Sequence, residues 1–400
     1  MKILHTVEFY YPSIGGAQEV MQQISERLVQ LGHDVTVATT RLKDRDFLIY
    51  NGVKIKEFDI SGNMVRGISG EIDEYQKFLL ESDFDIITNY AAQQWATDLV
   101  FPVLDKINAK KVFVPCGFSG LYLPEYSEYF EQMKFWIKQY DICIYASNDY
   151  KDINFARKYG ANNNILIPNG AGKDEFNQEL NIDIKRKLNI PNNHFLILHV
   201  GSHTGAKGHK EAIKIFKKAK IKSATFLIVA NDLNHNCTKN CFRSAKFFNY
   251  NPISRLSDKK IVIKSLSRQE TVSAYHKADL FLFPSNVECS PIVLFESMAS
   301  KTPFLTTDVG NAKEIIEWSN GGELLSTIKF ANGYVKADVK ASTKVLEQLF
   351  YDSERRKRMV INGYKKWKNL FTWEKITKQY ENLYIKLLSN NKNKNISEVT

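Results

Sequence analysis

The sequence predicts an α/β protein built from two Rossmann-like domains, each with a doubly wound parallel sheet. Two observations carry the prediction. Short apolar and β-branched runs alternate with stretches of helical apolar spacing along most of the chain. That is the pattern of parallel strands joined by crossover helices. The succession also starts twice, near Ile3 and again near Phe195, and each time a strand leads into a loop containing glycine. A length of 400 residues accommodates two such domains. The polar stretch 173–193, with Pro191, separates them, and the boundary is drawn at 180/181.

In the first series, 3–7 is the opening strand and 8–16 a loop rich in turn formers. A helix follows over 17–31, with apolar spacing through Val20, Ile24, Leu28 and Leu31. Gly32 caps it, and 35–39 is the second strand. Further strands are predicted at 85–88, 111–114, 142–146 and 165–167, with a helix over 148–159. The second series runs strand 195–200, loop 201–207, helix 208–219, strands 224–230 and 261–264, and helix 268–277. It continues with strand 279–283, helix 291–300, strand 302–306 and helix 312–317. Ligands of such sheets bind at the carboxyl ends of the strands, so the expected site is a cleft between the domains.

A hydrophobic fraction of 44% and a charged fraction of 25% are those of a soluble globular protein. No apolar run reaches the about 18 residues of a membrane span. The amino-terminal apolar run is too short for a signal peptide and has no small-residue cleavage site. Five cysteines in so long a chain do not make a disulfide framework, which points to the cytosol. The net charge of +11 favours anionic partners: nucleotide-sugars, an anionic membrane surface or nucleic acid. No nucleic-acid-binding signature accompanies the charge, so nucleic acid is not expected. The Lys/Asn-rich tail, 389–400, reads as disordered.

Three strand-to-helix loops carry the chemistry. Ser13-Ile14-Gly15-Gly16 puts paired glycines at a helix N-terminus, where backbone N–H groups can approach an anion. It lacks the G-x-G-x-x-G fingerprint, and a simple tight turn is the alternative. Gly201-Ser202-His203-Thr204-Gly205-Ala206-Lys207-Gly208-His209 holds the same place in the second series. Lys207 there is positioned to act as a point charge on a diphosphate; a solvated polar loop is the alternative. The third loop holds Glu288, and Glu296 follows inside the next helix. The backbone N–H groups of Cys289, Ser290 and Ile292, around Pro291, face the turn. Glu side chains cannot bind phosphate but accept hydrogen bonds from sugar hydroxyls, so the turn suits a nucleotide-sugar. Taken alone, the two Glu residues also fit an exposed loop position and an ordinary helix surface.

Six segments, in order, resemble the retaining glycosyltransferases of family 4, which have the GT-B fold. They are Pro12 to Ala17 with Gly15-Gly16; Leu31-Gly32-His33-Asp34-Val35; Ile167-Pro168-Asn169-Gly170; Val200-Gly201 with Lys207-Gly208; Pro284-Ser285 through Glu288 and Glu296; and Thr307-Asp308-Val309-Gly310 with Glu314-Ile315-Ile316. Phe371-Thr372-Trp373-Glu374 is similar to the start of that family's closing helix. The resemblance spans nearly the whole chain. It implies an acceptor-binding domain over 1–180, a nucleotide-sugar-binding domain over 181–370, and a helix over 371–388 that crosses back onto the first domain.

Carried over by position, Lys207 contacts the donor diphosphate, Glu288 the transferred sugar and Glu296 the ribose hydroxyls. Lys207 and Glu288 are the residues expected to act in transfer. Gly15 and Gly16 let their loop close over the diphosphate, Gly201, Ser202 and His203 belong to the donor loop, and the nucleobase lies against Ser265 and Leu266. Two positions depart from the family. Ser202 stands where an Arg is usual, and Pro115-Cys116-Gly117 where a His is common, which makes Cys116 the residue at that donor contact.

Asp44-Arg45-Asp46 and Asp83-Phe84-Asp85 match the Asp-x-Asp pattern that binds a divalent metal in another glycosyltransferase fold, but each is short enough to arise by chance. His235, Cys237 and Cys241 cluster in 231–258, without the tighter spacing of most zinc sites, and the stretch reads as a reduced surface insertion. No metal and no cofactor are expected beyond a UDP- or GDP-sugar donor. Tyr126, Tyr129, Phe130, Phe135, Trp136 and Tyr140, interleaved with Lys134 and Lys138, suit either a membrane interface or a core-facing helix.

The expectation is a cytoplasmic glycosyltransferase, peripheral to the inner face of a membrane. It would move a hexosyl group to a glycan or lipid-linked glycan acceptor in cell-surface polysaccharide or glycolipid assembly. Retention and metal independence are what the resemblance implies. Two other readings stay open: a nucleotide-binding partner weakened by the missing Arg and His, and an epimerase or phosphorylase of the same fold.

Overall fold

The alternation of strands and helices resolves, in the computed structural model, into two parallel sheets; residues 1–178, 181–231 and 235–397 are described. Each sheet belongs to one of two units, Met1–Asn169 with Trp373–Thr400, and Gly170–Thr372. The chain passes into the second unit at 169/170 and returns to the first at 372/373. The boundary drawn from sequence adjoins residues 179 and 180, which lie outside the described residues.

In the first unit the sheet order is Asn164–Leu166, Ile142–Tyr145, Lys110–Val114, Ile86–Tyr90, Lys2–Thr6, Asp34–Thr40, Val53–Phe58, Ile49–Tyr50. All neighbours are parallel except the last pair. The helix Gly16–Gln30 buries Val20, Ile24 and Leu28, as its spacing predicts, and Met21 beside them, whereas Leu31, at the helix C-cap, is exposed. Gly32 follows with φ +87° and donates its N–H to the Val29 carbonyl, 2.9 Å, which closes the helix in the left-handed conformation that glycine adopts without strain. The hairpin Ile60–Asn63/Gly67–Gly70 and the helix Ile72–Glu81 add to the predicted elements.

The helix Trp373–Ser397 belongs to this first unit and packs along Gly16–Gln30. Arg27 reaches Glu374 at 3.2 Å, His33 reaches Glu381 at 3.0 Å, and the Tyr384 hydroxyl meets Thr88 at 2.7 Å. The helix continues to Ser397, past the point where disorder was expected. No Gly or Pro interrupts 389–397, and Lys and Asn are tolerated in a helix already nucleated. Residues 398–400 lie outside the described residues.

The second unit holds six parallel strands in the order Lys259–Lys264, Ala224–Val229, Phe195–Val200, Leu280–Phe283, Phe304–Thr306, Gly322–Leu324. Ala224–Val229 and Leu280–Phe283 are buried at every position, as a sheet covered on both faces requires. Along Phe195–Val200 the faces alternate: Leu196 and Leu198 join one core cluster and Ile197 the other. The chain builds outward from Phe195–Val200 in one direction, then resumes on its other side with Leu280–Phe283. Loops leaving those two strands flank the switch point, where such sheets bind ligands.

Candidate functional site

The two loops at the switch point, after Val200 and after Phe283, are stitched together by backbone. Asn286 donates its N–H to the Ala206 carbonyl at 2.8 Å. Gly208 has φ +69°, and a Cβ there would lie 1.7 Å from the Pro284 carbonyl oxygen. Only glycine permits both that conformation and that approach. The next loop over is tied in the same way. Asn311 donates from its backbone to the Cys289 carbonyl at 2.9 Å and from its side chain to Ser290 at 3.1 Å. Thr307 donates to the Ser285 carbonyl at 2.5 Å.

On this frame Lys207 and Glu288, 81 residues apart, meet. Lys207 Nζ lies 2.7 Å from Glu288 Oε1, and the Ser285 hydroxyl donates to the same oxygen at 2.7 Å. Both side chains are largely covered. An ammonium and a carboxylate therefore stand side by side at the loop that leads into the helix Ile292–Ala299. The cation suits a phosphate, and the carboxylate suits hydroxyls.

Glu296 is 3% exposed, so it is not a helix-surface residue. Its carboxylate lies 2.6 Å from Arg268 Nη1, and Arg268 also donates to Glu175 at 2.7 and 2.8 Å. Arg268 was not singled out from sequence. A signal for it existed: Ser267-x-x-Glu270 is a capping box, present in the structure, and it fixes Arg268 as the first helical residue after the loop 264–266. Ser265 and Leu266 line a cavity of 270 Å³ with Lys187, Leu188, Asn189, Lys264 and Glu270.

Gly15 and Gly16 stand at the start of the first unit's leading helix. Gly16 has no left-handed φ, and among the described residues a Cβ there would meet nothing within 4 Å. Neither backbone conformation nor internal packing demands glycine at Gly16. Cys116 follows the strand Lys110–Val114 with φ +59°, and burial pushes its thiol up to about 12. At neutral pH it is a thiol, able to make a weak hydrogen bond and not to act as a nucleophile.

Behind the Lys207 loop lies a cluster that sequence spacing did not reveal. His203 Nδ1 is 3.4 Å from Cys237 Sγ, and His203, Cys237 and Cys241 offer ligand atoms all within 4.8 Å of one another. His235 heads the helix His235–Tyr250, and its side chain lies outside the described residues. The stretch is not a surface insertion. Cys241 and Ala245 join the core, and Asn249 exchanges two hydrogen bonds of 2.9 Å with the backbone of Ile261 on the edge strand. His199 and His209 pack nearby, with ring centroids 4.6 Å apart, and His209 donates to the Gly201 carbonyl at 2.9 Å. Burial holds both imidazoles neutral, lowering His199 to about 4 and His209 to about 2.

The remaining candidates have local structural roles. Arg45 is buried and donates to the carbonyls of Tyr10, Tyr11 and Thr40, leaving Asp44 and Asp46 exposed on either side. Asp83 pairs with Lys2, and Asp85 accepts from the Lys2 backbone at 2.7 Å. The aromatic helix turns its rings inward: Tyr126, Tyr129, Phe130 and Tyr140 are buried, and Trp136 stacks on Phe101 at 4.5 Å. Only Phe135 of the six is exposed. Lys134 pairs with Glu131 and lies over the Tyr159 ring.

Residues 181–366 match the family model for glycosyl transferases group 1. A capsular polysaccharide biosynthesis glycosyltransferase of Staphylococcus aureus is 26% identical over 229 residues, which span 56% of this chain and 55% of that relative. The N-acetyl-alpha-D-glucosaminyl L-malate synthase of Bacillus anthracis is 21% identical over 96% of this chain and 97% of its own. A protein of Anabaena solved in complex with UDP-glucose superimposes with a TM-score of 0.73 at 15% identity, covering 98% of this chain and 100% of that one. The group 1 match thus lies within the second unit, and the fold is GT-B. Among the described residues no helix is long and apolar enough to cross a membrane.

Proposed function

We propose that the protein transfers a sugar from a nucleotide-diphosphate-sugar to an acceptor hydroxyl, with retention at the anomeric carbon and without a metal in the transfer step. The observation that carries the reading is the Lys207–Glu288 pair at the switch point of the second sheet. A diphosphate entering there draws Lys207 away from Glu288, and Glu288 is released to the sugar hydroxyls. As the bond from the anomeric carbon to the diphosphate breaks, negative charge grows on the leaving oxygen. Lys207 and the N–H groups ahead of Ile292–Ala299 stabilise it, and both are in place before the reaction. The acceptor oxygen bonds to the anomeric carbon, and the hydroxyl proton leaves with the diphosphate product or to solvent.

Glu296, held by Arg268, accepts from the ribose hydroxyls, and the nucleobase lies in the cavity beside Ser265 and Leu266. The UDP-glucose of the Anabaena structure and the glucosaminyl transfer of the Bacillus relative favour a UDP-hexose donor. The Staphylococcus relative favours a glycan acceptor of cell-surface assembly. The second unit also suits an anionic membrane, through a different helix from the one singled out in sequence. Phe242, Phe247, Tyr250, Ile253 and Leu256 are exposed beside Lys239, Arg243, Lys246 and Arg255, with no acidic residue in 235–256.

A thermal-shift screen tests the donor: a nucleotide at about 100 times its Kd adds about 2.7 kcal/mol. No shift with UDP or GDP, together with no nucleoside diphosphate released in the presence of any acceptor, would remove the reading. Inversion seen by NMR of the glycoside product would remove retention. For the membrane, salt-sensitive co-sedimentation with anionic vesicles is expected, each surface cation contributing about 1 kcal/mol. Binding left unchanged by Lys239→Glu with Arg243→Glu would rule that face out.

A further inference from the structure

We propose that His203, Cys237 and Cys241 form a zinc site behind the donor loop of the second unit. The three ligand atoms lie within 4.8 Å of one another, and His203 Nδ1 is already 3.4 Å from Cys237 Sγ. A tetrahedral ion with Zn–S of about 2.3 Å and Zn–N of about 2.0 Å separates its ligands by about 3.5–3.8 Å. The observed spacing needs only a small contraction.

The fold sets up the triad from two directions. Cys237 and Cys241 are one turn apart on the helix His235–Tyr250, so their sulfurs share a side. His203 comes from the loop after Phe195–Val200, its N–H donated to the Asn231 carbonyl at 2.9 Å. Its ring packs on His209, with centroids 4.3 Å apart. His203 and Cys241 are buried while Cys237 is half-buried, which leaves one open edge for entry and for a fourth ligand from water.

The chemistry selects the occupant. Two thiolates and an imidazole suit a soft or borderline cation and not Mg²⁺ or Ca²⁺. A disulfide between the same cysteines fits less well. One turn of helix holds Cβ atoms about 5–6 Å apart, whereas a disulfide needs about 3.5–4.5 Å. An ion spans the gap without unwinding the helix. The ion would be structural and take no part in transfer. It would fasten the loop that carries Lys207 to a core helix, and that consequence for the donor rests on the proposed function.

The test uses full-length reduced protein, stripped of metal with a chelator and titrated first with Co²⁺ and then with Zn²⁺. The expected result is one Co²⁺ per chain, with thiolate charge-transfer absorption and tetrahedral d–d bands, displaced stoichiometrically by Zn²⁺. Cys237→Ser and Cys241→Ala should each weaken binding by more than about 100-fold, beyond what a change outside the ligand shell costs. Because Cys241 is buried, a measurement on the unmutated chain is paired with these: Zn²⁺ should protect Cys237 from alkylation, read by mass spectrometry. Failure of the folded reduced protein to bind Co²⁺ at one equivalent, or binding that both variants retain, overturns the site. Nucleotide binding measured with and without Zn²⁺ separates this outcome from the donor reading, since either can fail alone.

Discussion

The glycine loop of the second unit and that of the first occupy the same position in two similar sheets, yet they are held very differently. Around Gly208 the backbone is packed so closely that a Cβ would overlap the Pro284 carbonyl, and Lys207 beside it is fixed by Glu288. Around Gly16 a Cβ would meet nothing, and the neighbouring Ile14 is 81% exposed. The difference assigns different work to the two loops. The second has its backbone and its charges in place beforehand, so under the proposed function a diphosphate has only to exchange the Lys207–Glu288 contact for its own. The first is not pinned by packing at Gly16, as the loop closure expected from the sequence would require.

The largest test of that contrast is Lys207→Ala. If the second loop is the pre-organised phosphate site, turnover should fall about 100- to 1,000-fold, equivalent to roughly 2.7–4 kcal/mol of transition-state stabilisation. Lys207→Arg should retain more, since the charge is kept. The loss should fall mainly on the rate constant, because charge on the diphosphate grows as the bond breaks. Near-normal turnover in the alanine variant would mean that the Lys207–Glu288 pair holds the loop and does nothing to the donor.

Next in size is a matched pair of substitutions, Gly208→Val and Gly16→Val. At Gly208 the left-handed backbone alone costs about 1–2 kcal/mol, and the overlap with Pro284 adds to it. At Gly16 the change should stay within about 0.5 kcal/mol of wild type in urea unfolding, as for other surface positions. Activity should not follow stability at Gly16. Gly16→Val should fold normally and turn over poorly, because its cost appears only when the loop closes on a ligand. Equal stability losses at both sites would erase the distinction between the loops.

What could be read in the sequence follows the same line between local and distant. The helix Arg268–Lys277 has the range predicted for it, and the capping box that opens it is a local signal. Lys207 and Glu288 were each visible as loop residues, and the strand order that joins their loops follows from the rules of parallel sheets. Arg268 beside Glu296 was not visible, since nothing in either segment names the other. His203 beside Cys237 was hidden for the same reason; the nearer His235 drew the attention that spacing alone can give. The aromatic helix 127–136 shows a further limit. Rings at helical spacing fit a core face and an interface equally, and only the stacking of Trp136 on Phe101 decides it.

The smallest expected effect concerns acid. In the second unit the buried imidazoles of His199, near 4, and His209, near 2, are neutral in the fold, and burial lowers His276 as well. Unfolded, each titrates near 6.5. Between those values the unfolded chain binds more protons, so stability is complete above about pH 6.5 and is lost as pH falls. His199 and His209 should each cost about 1 kcal/mol between pH 6.5 and 5.5, and His276 adds in the same direction. The first unit carries an opposing set. Burial raises Asp98 and Asp152 to about 6, so the folded form binds more protons there as pH falls, which offsets the loss from His5, lowered to about 3. The second unit should therefore loosen first on acidification. Cys241 and Cys143 report the two units separately, since each is buried in one of them. Pulsed labelling with a pyridyl disulfide, which reacts at acidic pH, should show Cys241 becoming reactive at lower urea at pH 5.5 than at pH 7, with Cys143 shifting less. Equal shifts for the two cysteines would mean that the buried histidines do not set the acid limit of the second unit.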